Sequence, residues 1–252
     1  SIPGLNKIIF NKMRSGLDTA FGGKVRTYIM GGAALNPEVE KWFKRIGLHY
    51  TVGYGMTEAA PLLGYEDWSR YVPGSCGKVI DCIEARIDSD DPQHIAGEIQ
   101  AKGANITIGY YKNEEANKAA FTEDGFLRTG DLGIIDKNNN IFIKGRSKSM
   151  ILSANGQNIY PEELEAVINN QEFVAESLVV DRSGKLVALV YFDKDALKSA
   201  RLDEEAISDL PEKIRINSNR QLPGYSRISK VETVMVPFEK TPKMSIKRFL
   251  YK

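Results

Sequence analysis

The stretch VRTYIMGGAALNPEVEKWFKRIGLHYTVGYGMTE, residues 25–58, decides how the first half of the chain is expected to fold. Its first part, VRTYIM (25–30), is a short apolar run that ends at a glycine pair. A second apolar run, LHYTV (48–52), comes just before the loop GYGMTE (53–58). Short apolar runs bounded by glycines are typical of buried strands. We therefore predict two strands and a tight loop here.

A helix is predicted between these two strands. Asn36 is a natural N-cap, Pro37 suits the first helical position, and Gly47 suits the helix end. Four apolar residues recur at helical spacing and predict one buried stripe: Val39, Trp42, Phe43 and Ile46. The alternation of strand, helix and strand is typical of an α/β sheet.

Two loops carry side chains suited to nucleotide chemistry. In GYGMTE, Thr57 could bond a phosphate oxygen, Glu58 could hold Mg²⁺ and Tyr54 could stack on a base. Ligands of open α/β sheets bind on such loops, beyond the strand ends. FLRTGD (126–131) reads as a second loop whose Asp131 suits ribose hydroxyls. Taken separately, an ordinary glycine-rich turn explains the first loop equally well and the second one better.

The sequence after residue 70 predicts two further regions of the fold. Residues 70–145 contain short β-type runs between Gly, Asn and Asp turns, which predicts a small β-rich subdomain: EARID (84–88), GEIQA (97–101), GIIDK (133–137) and IFIKG (141–145). After Gly145, the chain predicts an α+β domain with these elements: a hairpin around Asn155-Gly156, a helix from Pro161, two strands around Ser183-Gly184, a helix over 203–220 and a strand VETVMV (231–236).

Composition excludes several classes of protein. The 252 residues carry a net charge of +1, so nothing indicates a nucleic-acid partner. No apolar run is long enough to span a bilayer, and the first residues do not resemble a secretory signal. Two cysteines form no disulfide framework, which favours a reducing compartment and predicts a cytoplasmic location. With only two histidines, His49 and His94, a histidine-rich metal site is excluded.

Six segments in order carry a family resemblance: MGGAALNPEV (30–39), GYGMTE (53–58), GEIQAKGANITIGYY (97–111), DGFLRTGDLG (124–133), GRSKSMILSANGQNIYPEELE (145–165) and KTPKMSIKRF (240–249). This series resembles the adenylate-forming superfamily, which includes acyl-CoA synthetases, luciferases and peptide-synthetase adenylation domains. GGAAL with NPEV, and GQNIYPEELE, look most like the long-chain fatty acid-CoA ligases. The resemblance implies an α/β and α+β fold. Residues 1–147 would be the C-terminal part of the large adenylation domain, and residues 148–252 the small mobile C-terminal domain.

The resemblance implies a role for each motif residue. Gly32, Ala33, Tyr54 and Gly55 would line the nucleotide site, and Thr57 would bond the AMP phosphate. Glu58 would be the magnesium-linked acid. Asp131 would bind the ribose hydroxyls beside Arg146. Lys148 would be the hinge, and the pantetheine arm of coenzyme A would pass Gly156.

The implied chemistry uses ATP, Mg²⁺ and coenzyme A, with a fatty acid as the substrate. A carboxylate attacks the α-phosphate of ATP to give acyl-AMP and pyrophosphate, and the CoA thiol then takes the acyl group. Cations that neutralise phosphate charge, together with positioning, would supply much of the rate. Peripheral contact with a membrane is left open.

Two departures from the family pattern bear on activity. The family's Ser/Thr/Gly-rich phosphate loop is absent, which predicts that the chain is an inactive fragment when isolated. The family's C-terminal catalytic lysine aligns with Ser245, and Lys243 is the predicted surrogate, in an extended segment. The alternatives are an amino-acid or aryl-acid adenylating enzyme, or a non-catalytic nucleotide-binding relative.

Overall fold

The computed structural model of the chain describes residues 5–153, 155–242 and 244–251. The chain divides into two compact units, Ser1–Lys144 and Gly145–Lys252. The predicted domain boundary between residues 147 and 148 stays a prediction. None of the helices formed by the described residues has both the length and the hydropathy needed to cross a lipid bilayer.

The first unit begins with a helix and a strand–helix–strand motif: α1 (Leu5–Ala20), β1 (Tyr28–Met30), α2 (Pro37–Ile46) and β2 (Tyr50–Val52). Strands β1 and β2 are parallel neighbours, with Tyr28 opposite Tyr50 and Met30 opposite Val52. The predicted α/β motif is confirmed, although β1 is shorter than the apolar run that predicted it.

The ends of α2 lie at the residues that the sequence predicts. The Asn36 side chain accepts hydrogen bonds from the amides of Glu38 (2.8 Å) and Val39 (3.4 Å), and Pro37 is the first helical residue. Gly47 ends the helix with φ 68° and donates to the carbonyl of Lys44 at 3.2 Å. These caps satisfy terminal backbone groups that a helix leaves unpaired.

The predicted apolar stripe of α2 is wrong in part. Val39 and Trp42 are 40% and 45% exposed, whereas Glu40 is only 8% exposed. Three donors hold the Glu40 carboxylate inside: its Oε1 accepts from the hydroxyls of Tyr50 (3.3 Å) and Tyr71 (2.8 Å), and from the Gly74 amide (3.2 Å). Because a buried carboxylate needs hydrogen bonds, these donors allow Glu40 to share the inward face of α2 with Phe43 and Ile46.

The rest of the first unit is β-rich, as predicted. A three-stranded sheet contains β3 (Tyr54–Gly55), β4 (Leu62–Tyr65) and β5 (Lys78–Val79). A four-stranded sheet has the order β6 (Ile83–Asp88), β7 (Gly97–Gly103), β8 (Leu127–Ile135) and β9 (Ile141–Arg146). A short helix that the sequence did not predict, α3 (Glu114–Ala120), lies between β7 and β8 in the chain. Buried side chains from both sheets and from the turn after β3 form one core: Tyr54, Ala59, Leu63, Ile87, Ile99, Ala101 and Ile141.

The second unit is the predicted α+β domain. It contains the hairpin β10 (Ile151–Leu152) and β11 (Asn158–Ile159), then α4 (Pro161–Asn169), β12 (Val174–Arg182), β13 (Lys185–Phe192), α5 (Lys194–Ser199), α6 (Glu204–Asn219) and β14 (Lys230–Val234). Strand β13 is central, antiparallel to β12 and parallel to β14. Helices α4 and α6 contribute Leu164, Ile168, Leu210 and Ile214 to the core. The predicted combination of α/β and α+β architecture is confirmed.

Candidate functional site

The loop after β2 is held at the end of the parallel strand pair. The Gly53 amide donates to the Met30 carbonyl at 2.8 Å, which extends the pairing of β1 and β2 by one residue. Thr57–Ala59 then form a 3-10 turn. A Cβ atom at Gly55 would lie 2.1 Å from the Pro61 carbonyl oxygen, so only glycine fits there. The motif GYGMTE is therefore a structured loop beyond the strand end, where α/β sheets bind ligands.

Gly32 and Ala33 follow the neighbouring strand β1 and are exposed. Gly32 has φ 87°, in the left-handed region that favours glycine. A Cβ atom at Gly31 would lie 3.4 Å from the Gly53 carbonyl oxygen, so the two loops leave their strands side by side. The structure thus brings two of the predicted nucleotide-site segments to one sheet edge.

A buried hydrogen bond joins Tyr54 to Asp131. The Tyr54 hydroxyl donates to Asp131 Oδ2 at 2.7 Å, and both side chains are buried. Asp131 was predicted to end a loop, and this is wrong, because it lies inside strand β8. Pairing with β7 orders this segment: the Thr129 hydroxyl donates to the Ile99 carbonyl at 2.8 Å, and Gly130 has φ 71° where the register shifts. The predicted roles of Tyr54 and Asp131 at the base and ribose stay predictions.

Cys76 is a half-buried thiol within the electrostatic reach of Asp131. Burial raises the pKa of Cys76 to about 11, and the negative charges of Glu40 and Asp131 add to that shift. The thiol is therefore protonated at neutral pH and a poor nucleophile. It plays no part in the chemistry that we consider below.

Glu58 and Thr57 lie in the 3-10 turn of the same loop. The Glu58 side chain is half-buried, and its Oε1 accepts a hydrogen bond from the Tyr110 hydroxyl at 2.9 Å. This bond to the carboxylate raises the pKa of Tyr110. Thr57 is exposed. Tyr110 was not singled out from the sequence, where its position in GEIQAKGANITIGYY was the available signal.

The remaining predicted residues of the site lie at the start of the second unit. Arg146 ends strand β9 and is exposed. Lys148 lies in a turn in which the amides of Ser149 and Met150 both donate to the Arg146 carbonyl at 3.0 Å. Gly156 has φ 79° and is exposed in the β10–β11 hairpin, as its predicted turn requires. Asp131 and Arg146 belong to different units, so their predicted proximity stays a prediction.

The loop around Ser245 is not extended, contrary to prediction. Lys240 and Ile246 form an antiparallel bridge, and the Thr241 amide donates to the Ser245 carbonyl at 2.8 Å. The chain reverses direction here because Met244 adopts a left-handed φ of 62°. Ser245 is exposed. Lys243, the predicted catalytic surrogate, lies outside the described residues.

The cations that flank this loop are paired with carboxylates. Lys247 Nζ lies 3.3 Å from Glu239 Oε2, and Lys240 forms an ion pair with Glu176. Each of these two lysines is engaged by a carboxylate, and the role of Lys243 as the surrogate stays a prediction.

Arg248 holds the end of the loop against helix α4. Its Nη1 donates to Glu165 Oε1 at 2.8 Å, Nη2 donates to Glu165 Oε2, and Nη2 lies 3.4 Å from Glu162 Oε1. Glu165 Oε1 also accepts the Val179 amide at 2.7 Å. Burial raises the pKa of Glu165 to about 7, and the guanidinium of Arg248 opposes this shift. Sequence reasoning missed this cluster.

Two family profiles match the chain. The AMP-binding enzyme profile matches residues 3–111, and the AMP-binding enzyme C-terminal domain profile matches residues 148–251. The chain belongs to the AMP-binding enzyme family. Both profiles leave out residues 112–147 of this AMP-binding enzyme chain, the part that contains Asp131.

Two relatives of this AMP-binding enzyme chain are named as ligases of long-chain acyl groups. It is 31% identical to the peroxisomal long chain acyl-CoA synthetase 6 of Arabidopsis thaliana, over 98% of this chain and 39% of that protein. It is 32% identical to long-chain-fatty-acid–CoA ligase 1 of Saccharomyces cerevisiae, over 71% of this chain and 26% of that protein. The chain therefore spans less than half the length of these relatives.

A solved structure shares the fold. The crystal structure of ATP-bound MatB from Rhodopseudomonas palustris matches 95% of this AMP-binding enzyme chain and 48% of that chain, with a TM-score of 0.75 and 27% sequence identity. This likeness confirms that the chain has the architecture of an adenylate-forming enzyme, as the motif series predicted.

Glu58 offers one carboxylate of the kind that can bind a magnesium ion arriving with a nucleotide. No group of three or more His, Cys, Asp or Glu side chains that could hold a metal exists within residues 5–153, 155–242 and 244–251. Mg²⁺ is usually bound by one or two carboxylates together with substrate phosphates and water, rather than by an all-protein cage. Glu58 presents such a carboxylate, with Oε1 engaged by Tyr110.

Proposed function

We propose that the chain contributes the nucleotide-site loops and the C-terminal domain of an ATP-dependent fatty acid-CoA ligase. The observation that carries the proposal is the buried hydrogen bond between Tyr54 and Asp131, on the motif that also carries Glu58. Tyr54 is hydrogen-bonded to Asp131 and lies on the same short loop as Glu58. A paired acid beside a loop with a hydroxyl and a second acid suits a nucleoside phosphate. The long-chain names of the relatives support a fatty acid as the substrate.

The reaction that we propose has two steps. In the first step, a carboxylate oxygen of the fatty acid bonds to the α-phosphorus of ATP while the bond to the bridging α–β oxygen breaks and pyrophosphate leaves. In the second step, the CoA sulfur bonds to the acyl carbon, AMP leaves with the bonding electrons of the acyl–oxygen bond, and the thiol proton passes to solvent. Magnesium, when bound, would neutralise phosphate charge during the first step.

Each residue has a proposed task in these steps. Asp131 accepts hydrogen bonds from ribose hydroxyls, and Tyr54 holds that carboxylate in place. Thr57 donates to a phosphate oxygen, and Glu58 binds the magnesium. Gly32, Ala33 and Gly55 let the backbone approach the base, and Arg146 assists at the ribose. Gly156 gives the pantetheine arm of CoA a passage along the hairpin turn.

The cytoplasm is the location that we propose. Support comes from the absence of a disulfide among the described residues, where Cys76 and Cys82 are both free thiols. Fractionation of cells that express a tagged protein tests this. Recovery in peroxisomes, where the name of the Arabidopsis thaliana relative places that protein, would argue against it.

Half-reactions measured on the protein from its full open reading frame test the function. We expect pyrophosphate release with fatty acids and ATP, followed by thioester formation when CoA is added. Release with amino acids or aryl acids instead would identify the other adenylating classes, and release with none of these acids would support a non-catalytic relative.

In the same assay, Lys243→Ala should slow acyl-AMP formation strongly, while Ser245→Lys should add little. If Lys243→Ala leaves the rate of acyl-AMP formation unchanged and Ser245→Lys raises it, Lys243 is not the surrogate for the family's lysine.

A proline at the hinge should separate the two half-reactions. Lys148 lies in the turn at the start of the second unit, and a hinge must absorb a backbone rotation there. Lys148→Pro locks φ near −65° and removes the amide donor. We expect thioester formation to fall at least about tenfold more than acyl-AMP formation. Lys148→Ala is the control, and an equal loss in both half-reactions would argue against a hinge at this residue.

A further inference from the structure

The segment Asn105–Tyr110, which we call the bracing segment, fastens the loop that carries Glu58. Asn105 Nδ2 donates to the carbonyls of Ala59 (2.6 Å) and Leu62 (2.8 Å). The Thr107 amide donates to the Glu58 carbonyl at 2.8 Å, and the Tyr110 hydroxyl donates to Glu58 Oε1 at 2.9 Å. One segment therefore holds both the main chain and the side chain of Glu58.

Helix α3 in turn fixes Tyr110. The Tyr110 amide donates to Asn117 Oδ1 at 2.6 Å, and Asn117 Nδ2 donates to the Tyr110 carbonyl at 3.0 Å. Gly109 makes this clamp possible, because a Cβ atom there would lie 2.8 Å from Asn117 Oδ1 and its φ is 139°. Asn117 is half-buried on the helix, so its amide group is a fixed support for the tyrosine backbone.

The bond from Tyr110 restricts a side chain that would otherwise be mobile. Fixing a glutamate in one rotamer costs side-chain conformational entropy. A hydroxyl donor on one carboxylate oxygen selects the rotamer in advance, so less of this cost falls on ligand binding. In the described part of the chain, no other side chain donates to the Glu58 carboxylate.

We propose that Tyr110, clamped by Asn117, is a positioning residue that orients the Glu58 carboxylate for the magnesium–phosphate group of ATP. This inference rests on the proposed function, in which Glu58 is the magnesium-linked acid. Tyr110 needs no contact with the metal or the nucleotide. Its effect passes through the geometry of Glu58 alone.

The test compares Tyr110→Phe with Tyr111→Phe, a matched control in which the neighbouring tyrosine is 87% exposed. Acyl-AMP formation is measured in the full-length protein as a function of Mg²⁺ at saturating ATP and fatty acid. For Tyr110→Phe, we expect the Mg²⁺ concentration at half-maximal rate to rise about fivefold to tenfold, because one charge-assisted hydrogen bond at a partly exposed site is lost. High Mg²⁺ should restore the rate, and Tyr111→Phe should match the wild type. Asn117→Ala should shift the Mg²⁺ dependence in the same direction.

Several outcomes would overturn the proposal. An unchanged Mg²⁺ dependence in Tyr110→Phe, with an active wild type, would overturn the positioning role and leave the proposed function intact. A lower rate that Mg²⁺ does not restore would assign Tyr110 a structural role instead. A wild-type protein that forms no acyl-AMP would overturn the proposed function and this inference with it. Binding of Mg·ATP in the absence of fatty acid, measured by calorimetry, is independent of catalysis: Tyr110→Phe should weaken it about fivefold to tenfold, and Tyr111→Phe should leave it unchanged.

Discussion

Replacement of Asp131 by alanine is expected to lower kcat/KM for ATP by about thirtyfold, equivalent to about 2 kcal/mol of transition-state stabilisation. The proposed function assigns this carboxylate to the ribose hydroxyls, and a charge-assisted hydrogen bond in a buried site is worth about that much. Steady-state rates at varied ATP, with the fatty acid and CoA saturating, measure the effect. The KM for the fatty acid should change little, because the ribose and acyl chain are separate parts of the site.

Asp131 is also a structural residue, so stability has to be measured alongside the rate. It is buried within strand β8 and accepts the Tyr54 hydroxyl, and the alanine variant deletes that acceptor. We expect a loss of about 1 kcal/mol in the free energy of unfolding. Asp131→Asn is the matched control, because its amide oxygen still accepts from Tyr54 although its charge is gone. If all the loss in ATP use in Asp131→Ala disappears once the unfolded fraction is subtracted, the assignment to ribose fails.

Removal of Arg248 is expected to have the largest effect on stability. Arg248→Ala should lower the free energy of unfolding of the second unit by about 3 kcal/mol at pH 8, because it leaves the Glu165 carboxylate buried without its cation. Urea unfolding followed by circular dichroism measures the loss. Tryptophan fluorescence serves as an internal control, because Trp42 and Trp68 both lie in the first unit and should not respond.

The contribution of Glu165 to the free energy of unfolding should fall as the pH rises. Burial raises the pKa of Glu165 from 4.5 to about 7 in the folded chain. Between these two values the folded chain retains a proton that the unfolded chain has released, so this contribution to stability is present below about pH 4.5 and is lost as the pH rises to about 7. Glu165→Gln should lack this slope.

The stability cost of Arg248→Ala should also depend on pH. Near pH 5.5 Glu165 can be buried as a neutral acid, so Arg248→Ala should cost much less there than at pH 8. Arg248→Lys keeps the charge but not the two-pronged geometry, and it should lie between the wild type and the alanine variant. A cost of Arg248→Ala that is the same at both pH values would show that the loss is one of packing and not of charge.

Features that depend on a few neighbouring residues were readable from the sequence. Asn36, Pro37 and Gly47 set the ends of α2, since an N-cap, a first-turn proline and a left-handed glycine act on their own helix. The β12–β13 hairpin was predicted from Ser183-Gly184, whose φ angles of 54° and 78° suit a tight turn. The order of the motifs also identified the family. Each cap, turn and single motif is local along the chain, and only the order of the motifs extends over its length.

The contacts that organise the candidate site were decided by the tertiary structure. Tyr54 and Asp131 are 77 residues apart, Glu58 and Tyr110 are 52 apart, and Arg248 and Glu165 are 83 apart. No periodicity or spacing in the sequence pairs such residues, because strand pairing and core packing bring them together. The burial of Glu40, where the spacing predicted an apolar face, has the same origin: its donors come from other segments of the chain.

The sequence by itself therefore determined the ends of α2, the turn at Ser183-Gly184, the β-rich and α+β regions and the family, and it predicted the residues that carry chemistry. The tertiary structure decided that Asp131 lies inside a strand, that the Ser245 loop turns back on itself and that Tyr110 and Arg248 support the groups around them. The physical reason is the same in each case. A backbone conformation is set by neighbours in the chain, whereas the partner of a buried or half-buried polar group is set by whatever the fold brings within hydrogen-bond distance.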